Sequence, residues 1–204
     1  IFYFIPWFMI TLINYMIFPI QQPIFEHEKL DYNTLMAVEY IITAVFAVLS
    51  GFIADKLGRK RLAIIGFIML GIGYAVIGIF PISYLKFSSI LYVFADGIAW
   101  GIFYVLFIFT LWGDIAQGKH ADKISFLGAL PYVFSFFIQE LFTPVLTKYF
   151  DAIKNPTIIF SFASIFLFLA VLPLIYAPET LPEKTLKDRE LVTYIEKAQK
   201  IVKK

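Results

Sequence analysis

The chain has 204 residues, 60% of them hydrophobic and 16% charged, with a mean hydropathy of +0.81. Soluble domains carry about 45–50% apolar and about 25% charged residues, so this composition predicts a protein immersed in lipid. The absence of cysteine removes disulfides, thiolate metal sites and thiol catalysis, and a net charge of +2 is too small to argue for nucleic acid as a partner.

A helix needs about 20 mostly apolar residues to cross about 30 Å of hydrocarbon. Six stretches qualify, so an all-α, polytopic membrane bundle is expected over residues 1–180, with the lipid bilayer as its surroundings. The first span, 1–20, holds Pro6, Asn14 and Pro19 and starts without a basic leader, which reads as a cut end with chain upstream. The second, 33–54, carries Glu39 and runs into a charged turn. The third, 62–80, has no charged residue within its apolar stretch. The fourth, 87–112, carries Asp96 between small residues and closes on Trp112-Gly113-Asp114, where Asp114 is placed to pair with the basic turn. The fifth, 124–147, carries Glu140 beside Gln139, and the sixth, 157–177, is free of charge. Pro6, Pro131 and Pro144 are expected to kink their helices. Residues 181–204 then turn charged and helix-forming and read as a cytoplasmic amphipathic tail, with Leu191, Ile195, Ala198 and Val202 at helical spacing.

Lysine and arginine favour cytoplasmic loops. With the turn at 56–61 inside, that side holds 13 of them against 4, or 6 against 4 without the tail. Both termini are then cytoplasmic. The two histidines, His27 and His120, fall in loops on opposite sides and cannot form one metal site.

The turn reads Gly51-Phe52-Ile53-Ala54-Asp55-Lys56-Leu57-Gly58-Arg59-Lys60-Arg61. Gly51 permits close approach of another helix. Asp55 lies at the membrane edge, where the positive end of a facing helix stabilises a carboxylate. Gly58 supplies the left-handed conformation a tight reversal needs. Arg59, Lys60 and Arg61 hold the turn on the cytoplasmic side and can pair with carboxylates. This arrangement resembles the G-x-x-x-D-[RK]-x-G-R-[RK] signature loop of the major facilitator superfamily, with Gly51, Asp55, Lys56, Gly58, Arg59 and Lys60 fitting.

The resemblance implies one six-helix half of a secondary transporter working by alternating access, with the turn as a cytoplasmic gate. It also implies a second half, either upstream in the same chain or on a second chain. The Pro178-Glu179-Thr180 close, similar to that of sugar-porter-like members, and the lack of arginine in the fourth span favour the C-terminal half. In such bundles the third and sixth helices are peripheral, and the charges found here avoid those two spans.

Ionisable residues at membrane depth cost a few kcal/mol each and are functional candidates by default. At 1.5 Å per residue, Glu39 and Glu140 lie roughly 9–11 Å and Asp96 roughly 12–14 Å below the outer boundary. Proton coupling, or cation or substrate binding, is expected of Asp96, Glu39 and Glu140, with Asp96 leading because burial disfavours the ionised form. Glu39 and Glu140 as interfacial anchors are the alternative. Asn14, Tyr15 and Gln139 are candidate contacts for a small-molecule substrate, although helix–helix polar contacts explain them equally well. No clustered nucleophile, base or metal set points to an enzyme, and no cofactor is implied. A non-transporting membrane scaffold or sensor is the alternative function.

Overall fold

The computed structural model describes residues 1–27, 29–80, 82–116, 120–149, 156–178 and 180, with isolated positions between 185 and 199. The amphipathic tail expected over 181–204 lies mostly outside these residues, as do Lys119 and Glu179.

With no water at membrane depth, each apolar stretch must satisfy its own backbone, and helices do so. The described chain is all-α: α1 (Phe4–His27), α2 (Tyr32–Leu57), α3 (Arg59–Ile79), α4 (Leu85–Phe103), α5 (Leu111–Ala116), α6 (Ala121–Tyr149), α7 (Pro156–Leu169) and α8 (Val171–Ile175). A π-helical segment, Tyr104–Thr110, joins α4 to α5 in one continuous span, and α7 with α8 forms another. Six stretches are thus long and apolar enough to cross a membrane. Several helices outrun the apolar stretches, α1 to His27 and the fourth span to Ala116. Hydropathy registers only the part at hydrocarbon depth, whereas the hydrogen-bond ladder continues beyond it. At the head of α2, Asp31 accepts from the Asn33 N–H and the Thr34 hydroxyl, which hold its carboxyl below its ordinary pKa.

Pro131 and Pro144 lie inside α6, whereas Pro6 acts differently from expectation. Pro6 sits in the first turn of α1, where a missing N–H costs little, so it begins the helix and does not interrupt it. The sixth span is continuous as read: Ala170, the one turn residue between α7 and α8, keeps helical dihedrals and its N–H still bonds the Phe166 carbonyl at 3.0 Å. Pro173 has no N–H to offer the Leu169 carbonyl four residues back, which accounts for the one gap in the ladder there.

The helices pair as α1 with α6, α2 with α4, and α3 with both α4 and α7. Exchanging spans one to three for spans four to six maps the α1–α6, α2–α4 and α3–α7 pairings onto one another, but the close α3–α4 pairing has only a slight counterpart between α1 and α7. The core lies between α1, α3 and the fourth span, where Trp7, Phe67, Tyr74, Tyr92, Phe103 and Phe107 are fully buried. Trp7 stacks on Phe107 with centroids 4.7 Å apart and donates its indole N–H to the Gly128 carbonyl at 3.0 Å, tying α1 to α6. By contrast α2 leaves Ile41, Val45, Val48 and Phe52 exposed, and α6 leaves Phe126, Phe134, Phe137 and Leu141 exposed. These two faces offer apolar surface to lipid or to another bundle.

Candidate functional site

At one end of the bundle the charged turn is built on Gly58, whose φ of 89° and ψ of 155° suit only glycine. Its N–H closes α2 on the Ala54 carbonyl at 3.1 Å, and its own carbonyl accepts the Leu62 N–H at 3.4 Å to open α3. One residue therefore ends one span and starts the next. Gly58→Ala is expected to lower stability by about 1–2 kcal/mol, read as loss of folded protein during heating in detergent.

Arg59 follows at once and is turned inward, its side chain only 10% exposed. Its Nη1 meets Asp55 Oδ1 at 2.7 Å, and its Nε meets Asp114 Oδ2 at 3.0 Å, bracing the second, third and fourth spans. The pairing of Asp114 with the turn thus occurs as expected. Asp55 is met by Arg59 at 2.7 Å, so the positive charge beside it is a side chain. Lys60 donates from Nζ to the Ile175 and Ala177 carbonyls at 2.8 and 3.0 Å, capping the end of the sixth span. Tyr3 Oη donates to the Pro178 carbonyl at 3.0 Å and adds the first span. Lys56 and Arg61 are exposed. A Cβ placed on Gly51 meets nothing within 4 Å, so the close approach expected there is not made within these six spans.

The second feature is a cavity of about 340 Å³, open on one side and bordered by the first, second, fourth and fifth spans. Its polar lining is Glu39 and Thr43 from α2, Tyr104 from the π segment, and Gln139 and Glu140 from α6. Aromatic rings complete the wall. Trp100 and Tyr104 pack at 5.4 Å, Tyr15 and Phe136 at 4.7 Å, and Tyr132 stands edge-on to Tyr104, Tyr15 and Phe136. The π segment has its own support. Thr110 donates to the Val105 carbonyl at 2.9 Å and Trp112 Nε1 to the Phe107 carbonyl at 2.6 Å, so the widened turn leaves those carbonyls satisfied.

Behind this cavity lie two carboxyls. Glu39 is 7% and Asp96 3% exposed, and they face each other across the α2–α4 seam, within reach of a hydrogen bond once one carries a proton. Glu39 borders the cavity; Asp96 sits behind it. Tyrosines surround them, Tyr32 and Tyr40 from α2, Tyr74 from α3, Tyr92 from α4 and Tyr104 from the π segment, with Tyr92 within hydrogen-bond reach of Asp96. Gln21 of α1 donates to the Tyr92 hydroxyl, leaving that hydroxyl's proton to turn elsewhere. Asp96 Oδ1 accepts nothing from the described residues.

The close seam depends on small residues. A Cβ on Gly97 would lie 2.9 Å from Ile42 and 3.0 Å from the Glu39 carbonyl, and one on Gly101 would lie 2.8 Å from the backbone of Ala47 and Thr43. Of the expected sites, the structure brings Glu39, Glu140, Tyr15 and Gln139 to one cavity. Asn14 is elsewhere: its Oδ1 accepts the buried Tyr74 hydroxyl at 3.0 Å, a contact between α1 and α3. Glu140 is exposed at the cavity rim. Among the described residues no three His, Cys, Asp or Glu side chains gather to hold a metal ion.

Sequence reading missed Thr43, Trp100, Tyr104, Tyr132 and Phe136. A signal for them was present, because Asp96, Trp100 and Tyr104 follow at four-residue intervals, and so do Tyr132, Phe136 and Glu140.

A family model described as Major Facilitator Superfamily matches residues 2–203. No curated protein and no solved structure matches the chain.

Proposed function

The chain belongs to the major facilitator superfamily, and on that premise we propose that it is the C-terminal six-helix half of a secondary transporter, coupled to protons. It moves a small solute across the cell membrane by alternating access. The solute binds between this half and a second one, supplied upstream or by another chain. The end carrying the charged turn is cytoplasmic, and the turn latches the halves when that side is closed. Asp55, 71% exposed although paired with Arg59, is available to such a contact.

The observation that carries this reading is the cavity bordered by spans one, two, four and five, with Glu39 on its wall and Asp96 directly behind. Two carboxylates so close repel one another when both are charged, and one proton between them turns that repulsion into a hydrogen bond. A change at the cavity face of Glu39 is therefore felt by the proton the pair holds.

The test is solute flux in vesicles holding the full-length protein. Asp96→Asn is expected to abolish uptake driven by a pH gradient while solute exchange continues. Coupling that survives the substitution overturns the assignment. Absence of any flux favours a scaffold or sensor.

A further inference from the structure

The lining of the cavity narrows the class of solute, an inference that rests on the transport reading for its physiological role and on the cavity alone for its chemistry. Among the described residues the charged groups on its wall are Glu39 and Glu140, and no Lys, Arg or His lines it. Around them Tyr15, Trp100, Tyr104, Tyr132 and Phe136 form one continuous aromatic wall in which each ring touches the next. Tyr40, 60% exposed, stands beside Glu39 at the opening.

Both parts of the lining favour the same sign of charge. The face of an aromatic ring is negative and attracts a cation within about 6 Å of its centre. A carboxylate away from bulk water attracts a cation far more strongly than one in solvent. An anion is repelled by both. Glu39 adds a specific demand: it is buried, and its hydrogen-bonding neighbour among the described residues is another carboxyl. A buried carboxylate needs a counter-charge or a proton, and the described wall supplies no counter-charge. The volume of about 340 Å³ lies within the range of about 300–1,000 Å³ typical of small-molecule sites.

We propose that the solute is an organic cation, an ammonium or pyridinium compound, seated with its charge at Glu39 and its apolar body against the aromatic wall. Glu140, at the rim, draws the cation in, and Thr43, whose hydroxyl meets no partner among the described residues, offers a hydrogen bond to a polar substituent.

Equilibrium binding of the N-methylphenylpyridinium cation to the full-length protein in detergent tests this, with uncharged methylbiphenyl as its isosteric competitor. The cation is expected to bind saturably and at least about tenfold more tightly than methylbiphenyl. Glu39→Gln should weaken cation binding by at least about tenfold, and Trp100→Leu by about threefold. Glu140→Gln, on an exposed side chain, should weaken it by about threefold without disturbing the buried pair. Equal affinity for cation and methylbiphenyl, or unchanged affinity in both glutamine variants, overturns the proposal. Flux of an anionic or neutral solute without cation binding overturns it too and leaves the transport reading standing. Charge-dependent binding without flux in vesicles does the reverse.

Discussion

Gly101→Val is expected to separate α2 from α4 and to destabilise the bundle by about 3 kcal/mol, at the upper end of overpacking costs. A Cβ at this position lies 2.8 Å from the Ala47 nitrogen, the Thr43 oxygen and the Phe46 Cβ, and two of those three atoms are backbone. No rotamer change relieves such a clash; the helices must move apart. Because Glu39 and Thr43 lie on the same stretch of α2, the movement also parts Glu39 from Asp96 and reshapes the cavity wall. Loss of folded protein during heating in detergent, followed by size exclusion, measures the effect. Gly51→Ala is the contrasting case. It meets nothing within 4 Å and is expected to leave the six-helix chain as stable as before or slightly more so, since alanine favours helix over glycine by up to about 1 kcal/mol. If Gly51→Ala costs as much as Gly101→Val, the account of the seam is wrong.

The second large effect is expected at the charged turn. Arg59→Gln leaves Asp114 and Asp55 without their partner and should cost about 2–3 kcal/mol, below the figure of about 3–5 kcal/mol for fully buried pairs because both carboxylates retain some solvent. The two carboxylates are not equivalent. Asp114 is 24% exposed and Asp55 71%, so Asp114→Asn should recover most of the Arg59→Gln loss, whereas Asp55→Asn should cost less than about 1 kcal/mol. If Asp55 serves the gate between halves, Asp55→Asn instead raises the population open to the cytoplasm. That shift is read by labelling a single cysteine introduced on the cavity wall, against a chain that contains none of its own. Unchanged labelling with unchanged stability would remove Asp55 from the gate.

Much of this architecture was legible in advance, for reasons that differ from element to element. The spans were visible because about 20 apolar residues in a row have one stable solution in lipid. The turn was visible because Gly58, Arg59 and Lys60 act within a few residues of one another, so their spacing already encodes the reversal and the charges beside it. Asn14 left a substrate contact and a helix–helix contact both open, because a polar residue in a span announces a partner without saying on which side; among the described residues its partner is Tyr74 on α3.

Local properties, then, were decided by the sequence itself: the number of apolar spans, their all-α character, the basic turn, and the position of Glu39, Asp96 and Glu140 within apolar stretches. Hydropathy, charge and glycine conformation all act over a single helical turn or a single crossing. Only the tertiary structure decided that Glu39 meets Asp96 while Glu140 stands at the rim, and that rings from three spans close into one wall. Those outcomes depend on how each helix is rotated about its own axis. That rotation is set by contacts between distant segments, above all where Gly97 and Gly101 let α4 approach the backbone of α2.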